Sequence, residues 1–174
     1  MTAFRCALVL FMLAVGFPMV PAGSANIPDD SGGFNGYTWG TPLATFTGFK
    51  LIQDLGSTDF VNDIGVYENP GETLTLNGVP FNTIRYRFVE NQLESISLRY
   101  TGRDNRDKLV RWLEEHYGKL RDSERKMVNA LLWYGDKTAI NLKYDVRTQQ
   151  GTLYFLSQAL SHRFNEAHQG SQGD

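Results

Sequence analysis

Aspartate residues cluster in one stretch of the sequence, where their carboxylates could hold a metal ion. Asp54, Asp59 and Asp63 lie close together in "QDLGSTDFVNDIG", and carboxylate oxygens at close spacing are the ligands that calcium takes. The calcium loop of twelve residues needs acidic, Asn and Gly residues at fixed positions, and this stretch does not provide them. The spacing therefore favours a solvated hairpin tip, and no metal site is predicted.

Glutamates near the ends of predicted strands could carry out acid–base hydrolysis if the fold brings two of them together. The available ones are Glu68, Glu72, Glu90 and Glu94. Glycoside cleavage needs two carboxyl groups about 5 to 10 Å apart, and the spacing along the chain does not decide whether any pair converges. A hydrolase with paired carboxylates assembled in the fold is therefore the alternative function.

The other familiar catalytic patterns are not matched. "EEH", at Glu114 to His116, lacks the second histidine that a zinc-binding helix needs. His162 and His168 lie near the C-terminus, and no serine sits in a nucleophile-elbow sequence. There is no Gly-rich phosphate loop. The sequence predicts no catalytic residue, no metal and no cofactor.

Three arginines lie on one side of a predicted hairpin. Arg85 and Arg87 alternate with apolar residues in "TIRYRFV", as Arg99 does in "ESISLRY", and alternate residues of a strand share a face. Guanidinium groups bind carboxylates and phosphates with two parallel hydrogen bonds. Arginines on a solvent-exposed sheet face also keep the protein soluble, so anion binding and solubility both remain possible roles.

Aromatic side chains complete the predicted binding residues. Trp133 and Tyr134 are neighbours in a predicted strand, so they should point to opposite sides. An outward aromatic ring could stack on a sugar or on a partner protein, although the sequence favours a second buried layer under the helix for these residues. Together with the tryptophan of the "YTWGT" stretch and the arginines, the predicted ligand- or partner-binding residues are Trp39, Arg85, Arg87, Arg99, Trp133 and Tyr134.

Hydrophobic periodicity predicts the elements that position these residues. Alternation of period two predicts a hairpin from "TIRYRFV" and "ESISLRY", and a second one from "KMVNALLWYGDKTAINLKYDV" followed by the strand "TLYFLS". Apolar residues at helical spacing predict one amphipathic helix over about 104–117. This order predicts an α+β fold: a single domain with a largely antiparallel, curled sheet and that helix packed on it.

The start of the chain is typical of a secretory signal peptide. Arg5 precedes an apolar block, which small residues follow up to Ala25. Cleavage after Ala25 would remove Cys6, the only cysteine, and leave a flexible segment over 26–33, one domain over 34–164 and a flexible tail over 165–174. The 17 basic and 19 acidic side chains of the whole chain give no electrostatic reason to expect nucleic acid or membrane partners.

Several stretches resemble a family of small exported bacterial proteins. They are "FNGYTWGTPLATFTGFKL", "IRYRFVENQLESISLRY", "LEEHYGKL" and "LWYGDKTAINLKYDVRTQQGTLYFLS". The family is uncharacterised, so the resemblance implies an exported α+β domain and no activity. From the sequence we expect a periplasmic or secreted, non-enzymatic binding or accessory protein, whose partner is a protein, a cell-wall component or a small ligand.

Overall fold

The computed structural model describes residues 24–57, 61–126 and 130–161, with the backbone alone for 24–26. Most of the predicted signal peptide and the predicted C-terminal tail lie outside the described residues, as does Asp59 of the aspartate cluster. Within the described ranges, the chain forms one α+β domain around a single large sheet.

The sheet has eight strands, and its order is β1-β10-β11-β12-β9-β8-β5-β4. These strands are β1 (Ser24–Asn26), β4 (Lys50–Gly56), β5 (Ile64–Glu68), β8 (Thr83–Val89), β9 (Gln92–Thr101), β10 (Ala130–Tyr134), β11 (Thr138–Asp145) and β12 (Gln150–Ser157). Neighbouring strands in it are antiparallel, apart from the parallel pair of β1 and β10.

Shorter elements accompany the sheet. Two small hairpins are formed by β2 (Gly33–Phe34) with β3 (Tyr37–Thr38) and by β6 (Thr75–Leu76) with β7 (Val79–Pro80). The helices are α1 (Arg103–Tyr117), α2 (Asp122–Arg125) and a 3₁₀ turn over Leu43–Thr45. The predicted helix is confirmed to within one residue at its start.

The turn between β8 and β9 shows how the sequence sets the register of the sheet. Glu90 and Asn91 both have positive φ, 51° and 61°. Positive φ at both central residues is typical of the two-residue hairpin turn whose twist matches that of the flanking strands. The predicted hairpin is therefore confirmed. In it, Tyr86 pairs with Ile96 and Arg85 with Ser97, so apolar residues face one side and polar residues the other.

One face of the sheet, here called the inner face, carries the core. Helix α1 contributes the buried Leu109 and Leu113, and the segment 27–49 lies on the same face, where Phe34 stacks on Phe155 with ring centroids 3.8 Å apart. The buried strand residues of this face include Ile84, Tyr86, Phe88, Ile96, Leu98, Tyr100, Leu131, Trp133, Ile140, Leu142, Tyr144 and Leu153. The opposite face is here called the outer face.

Gly151 is required where two tyrosines flank β12. Tyr100 and Tyr144 are its register partners on either side, and a Cβ on residue 151 would collide with the ring of Tyr100. We expect Gly151→Ala to lower the free energy of unfolding by about 1–3 kcal/mol in urea denaturation. Thr152→Ala, on the outer face of the same strand, is the control, and an equal effect of both changes would contradict this packing.

Candidate functional site

Cross-strand pairing lines up polar side chains in two rows on the outer face. The first row runs through Thr83, Arg99, Thr152 and Lys143, on β8, β9, β12 and β11. The second row runs through Thr101, Gln150 and Asp145 on the last three of these strands. Each row is a line of direct register partners, so the side chains of a row lie next to one another.

A cleft of about 540 Å³ lies over these two rows, here called the outer-face cleft. Its lining includes every residue of both rows together with Asn82, Tyr100, Tyr144 and Gly151. Pockets that hold small ligands span about 300–1,000 Å³, so the outer-face cleft has room for a ligand of one or two rings. Most of the side chains that line it carry hydroxyl, amide or charged groups.

The outer-face cleft is lined by two cations, Arg99 and Lys143, and by one carboxylate, Asp145. Arg99 is exposed, and within the described residues its guanidinium makes no ion pair. The ammonium group of Lys143 lies 5.4 Å from the ring centre of Tyr154. Backbone hydrogen bonds from Arg147 and Thr148 to Asp145 lower the pKa of this carboxyl, so Asp145 holds its turn in place.

The two other arginines of the predicted set are already occupied. Arg85 Nε donates to Glu68 Oε1 at 3.0 Å, and Arg87 makes two hydrogen bonds to Glu94, at 2.7 and 2.6 Å. Because their carboxylate partners are part of the fold, these guanidinium groups are less available to a ligand than that of Arg99. The arginines share a face, as predicted, but only Arg99 lines the outer-face cleft.

Glu94 is a buried structural anion. It is the extra residue of a β-bulge, since Arg87 pairs with Ser95 and Phe88 with Leu93, and it has no solvent exposure. Burial alone would raise the pKa of Glu94, but hydrogen bonds and charge from Arg87, with a hydrogen bond from Ser161, hold it below the usual value. Glu94 therefore binds β8 to the chain segment that follows β12.

The aromatic residues of the predicted set do not come together. Trp133 is fully buried on the inner face and donates to the carbonyl of Gly118 at 2.8 Å, so it is not a surface-binding residue. Tyr134, the next residue in the strand, points to the outer face, as expected for neighbouring strand residues. Trp39 lies at a separate cavity of about 360 Å³, where its indole nitrogen donates to Thr138 at 2.9 Å.

Each carboxylate considered for hydrolysis, Glu68, Glu72, Glu90 and Glu94, already accepts a hydrogen bond within the fold. Glu68 and Glu72 line one cavity of about 180 Å³, which is smaller than the usual substrate pocket. Glu68 pairs with Arg85, and Glu72 accepts a 2.6 Å hydrogen bond from the Tyr86 hydroxyl. The described residues contain no group of three or more His, Cys, Asp or Glu side chains placed to hold a metal.

Sequence reasoning did not identify most of the outer-face cleft. Lys143, Gln150 and Thr152 each alternate with inward residues of their own strands, which is a usable signal for the outer face. Their position beside Arg99 depends on the pairing of β12 with both β9 and β11. The pairing of β12 with β9 joins residues about fifty positions apart, such as Arg99 and Thr152, and strand alternation alone does not reveal it.

No helix in the described ranges is long and apolar enough to cross a membrane. No protein-family model, curated protein or solved structure matches the chain.

Proposed function

We propose that this chain is an exported, non-enzymatic binding protein whose outer-face cleft takes an anionic ligand. The observation that supports the proposal most is Arg99, an exposed guanidinium with no ion pair among the described residues, in a cleft of about 540 Å³. Lys143 is two register steps away in the same row. Two cations two register steps apart on one sheet face suit a carboxylate or phosphate group.

The uncharged lining narrows the class of ligand. Thr83, Thr152 and Gln150 offer hydroxyl and amide groups beside the cations, and these groups pair well with the hydroxyls of a sugar. Tyr154, which is not itself among the lining residues, has a half-exposed aromatic ring next to Lys143. The ligand we propose is therefore a small polar molecule with a carboxylate or phosphate, either free or as part of a cell-wall component.

Export is the second part of the proposal, and it rests on the sequence. The basic residue, apolar block and small residues that end at Ala25 follow the order of a signal peptide. Removal of Cys6 with that segment would leave no thiol, which suits a periplasmic or extracellular protein. The proposed location is the periplasm or the outside of the cell.

The cleft is tested by nuclear magnetic resonance titration of the ¹⁵N-labelled chain with glucuronate and with inorganic phosphate. We expect chemical-shift changes centred on Arg99, Thr152 and Lys143. Arg99→Gln should weaken binding by about 10- to 100-fold, because hydrogen bonds to charged groups contribute about 1.5–3 kcal/mol.

The matched control is Arg111→Gln, which removes an exposed cation from the outward side of α1. It should leave both the affinity and the pattern of shifts unchanged. Equal weakening by the two substitutions would mean that net charge alone attracts the anion. Shift changes centred away from the outer-face cleft, or no binding of either probe, would contradict the proposed site.

A further inference from the structure

Strand β1 closes one edge of the sheet with residues from the predicted signal-peptide junction. Ser24, Ala25 and Asn26 pair in parallel with Leu132, Trp133 and Tyr134. The amide of Ile27 donates to the carbonyl of Tyr134 at 2.8 Å. In a parallel pair this arrangement directs the Tyr134 amide to the carbonyl of Ala25, and the Leu132 carbonyl to the amide of Ala25.

The predicted cleavage point lies inside this strand. Cleavage after Ala25 would remove Ser24 and Ala25, so β1 would keep only Asn26 of its three residues. Ile27 is 5% exposed and belongs to the core, so the new N-terminus would stay anchored beside Tyr134. The carbonyl of Leu132 and the amide of Tyr134 would then lose their strand partner.

We propose that the processed chain presents the free edge of β10 as a site for an extended, uncharged peptide strand that runs parallel to β10. This inference rests on the export part of the proposed function. It concerns a partner distinct from the anionic ligand, since no residue of β10 lines the outer-face cleft.

In the full chain β1 pairs with this edge of β10, and its sequence indicates which peptides the edge can bind. An extended strand with the sequence Ser-Ala-Asn lies there in parallel register, so the edge already fits a peptide backbone of small, uncharged residues. Adding a strand to an exposed sheet edge is a general mode of peptide recognition, in which main-chain hydrogen bonds give affinity and pockets for alternate side chains give specificity.

A pocket for alternate side chains lies next to this edge on the outer face. The cavity has a volume of about 340 Å³, and Leu132, Tyr134 and Leu156 contribute its apolar lining. Side chains of an added strand that point to the outer face would reach this cavity. The peptide is therefore expected to carry small or apolar residues at every second position.

The opposite edge of the sheet lacks these properties. Strand β4 carries Lys50 and Asp54, and its pairing with β5 shifts register twice. Bulges and charges at an edge strand hinder the addition of another strand. Strand β10, with the sequence "ALLWY", has no charged residue, and its pairing with β11 shows no register shift.

The first experiment compares hydrogen exchange in two forms of the chain, one that begins at Asn26 and one that begins at Ser24. Both keep the core, whose members begin at Ile27. The Tyr134 amide should exchange at least tenfold faster in the form that begins at Asn26. The Trp133 amide, which faces β11, should exchange at the same rate in both.

The second experiment adds an amidated synthetic peptide with the sequence of residues 20–25, "VPAGSA", to the form that begins at Asn26. The peptide should restore protection of the Tyr134 amide. A control peptide with proline in place of Ala25 lacks the donor for the Leu132 carbonyl and should bind at least tenfold more weakly.

Equal exchange of Tyr134 in the two chain forms would overturn the inference, as would failure of the first peptide to restore protection. Concentration-dependent protection without peptide would also overturn it, because the edge would then pair with a second copy of the chain. The Arg99→Gln variant should bind the peptide normally. Failure of the anion site and failure of the edge site are therefore distinguishable.

Discussion

Replacement of Trp133 by alanine should destabilise the protein by about 3–5 kcal/mol, the range for truncating a large aromatic side chain in a core. Trp133 is among the largest fully buried side chains, with no solvent exposure. Its truncation also leaves the Gly118 carbonyl, just after α1, without the indole donor. Urea denaturation at neutral pH measures the loss.

The neighbouring Tyr134 provides the matched control. It is half-exposed on the outer face, so Tyr134→Ala should cost clearly less than the change at Trp133. Trp133→Phe should fall between the two, because it keeps most of the ring and loses the hydrogen bond. A larger loss at Tyr134 than at Trp133 would mean that β10 is shifted by one residue, which would exchange its two faces.

Replacement of Glu94 by alanine should destabilise the protein by about 3 kcal/mol, the lower end of the range for breaking a buried ion pair. The carboxylate is fully buried, while the Arg87 side chain keeps 29% exposure, which lets water solvate part of its guanidinium once the carboxylate is removed. Ser161 also loses its acceptor, 2.6 Å away. Urea denaturation again measures the change, and Glu115→Gln on the exposed surface of α1 is the control.

A double substitution separates the charge from the packing. Arg87→Met combined with Glu94→Leu removes both charges and keeps apolar volume, and such replacements are often close to neutral. The double variant should therefore be more stable than Glu94→Ala alone. A double variant that is less stable than the single one would show that the ion pair itself stabilises the fold.

The pH dependence of stability follows from the lowered pKa of Glu94. A carboxyl group whose pKa is lower in the folded state stabilises the fold above its unfolded value of about 4.3. That contribution disappears as the pH falls through the folded pKa. The difference in unfolding free energy between the wild type and Glu94→Gln should therefore be constant from pH 7 to pH 5 and shrink below about pH 4. A difference that grows on acidification would contradict the structure.

The sequence predicted the local elements well because each has a local cause. Alternating residues and a two-residue turn produce the hairpin of β8 and β9, and helical spacing ended by Gly118 produces α1. The α+β class follows from that order of elements and is confirmed. The orientation of Trp133 against Tyr134 was not decided by alternation alone, since alternation does not reveal which of the two faces meets the core.

Long-range pairing explains what the sequence did not predict. The outer-face cleft needs Arg99, Thr152 and Lys143 in one row, which depends on β12 lying between β9 and β11. The pairing of Arg87 with Glu94 depends on a β-bulge that the residue pattern does not predict. The sequence therefore predicted that the three arginines share a face. Only the structure shows that Arg85 and Arg87 pair with carboxylates of the fold, whereas Arg99 lines the outer-face cleft.

The most direct test of the proposed function is native mass spectrometry of the protein released gently from the periplasm or the medium of cells that export it. We predict a chain that begins at Asn26 and carries a bound anionic ligand, with the ligand lost in Arg99→Gln and kept in Arg111→Gln. A mass that still includes the first 25 residues would contradict export with cleavage after Ala25. A ligand kept unchanged by Arg99→Gln, or its absence from the wild type, would contradict the outer-face cleft as the binding site.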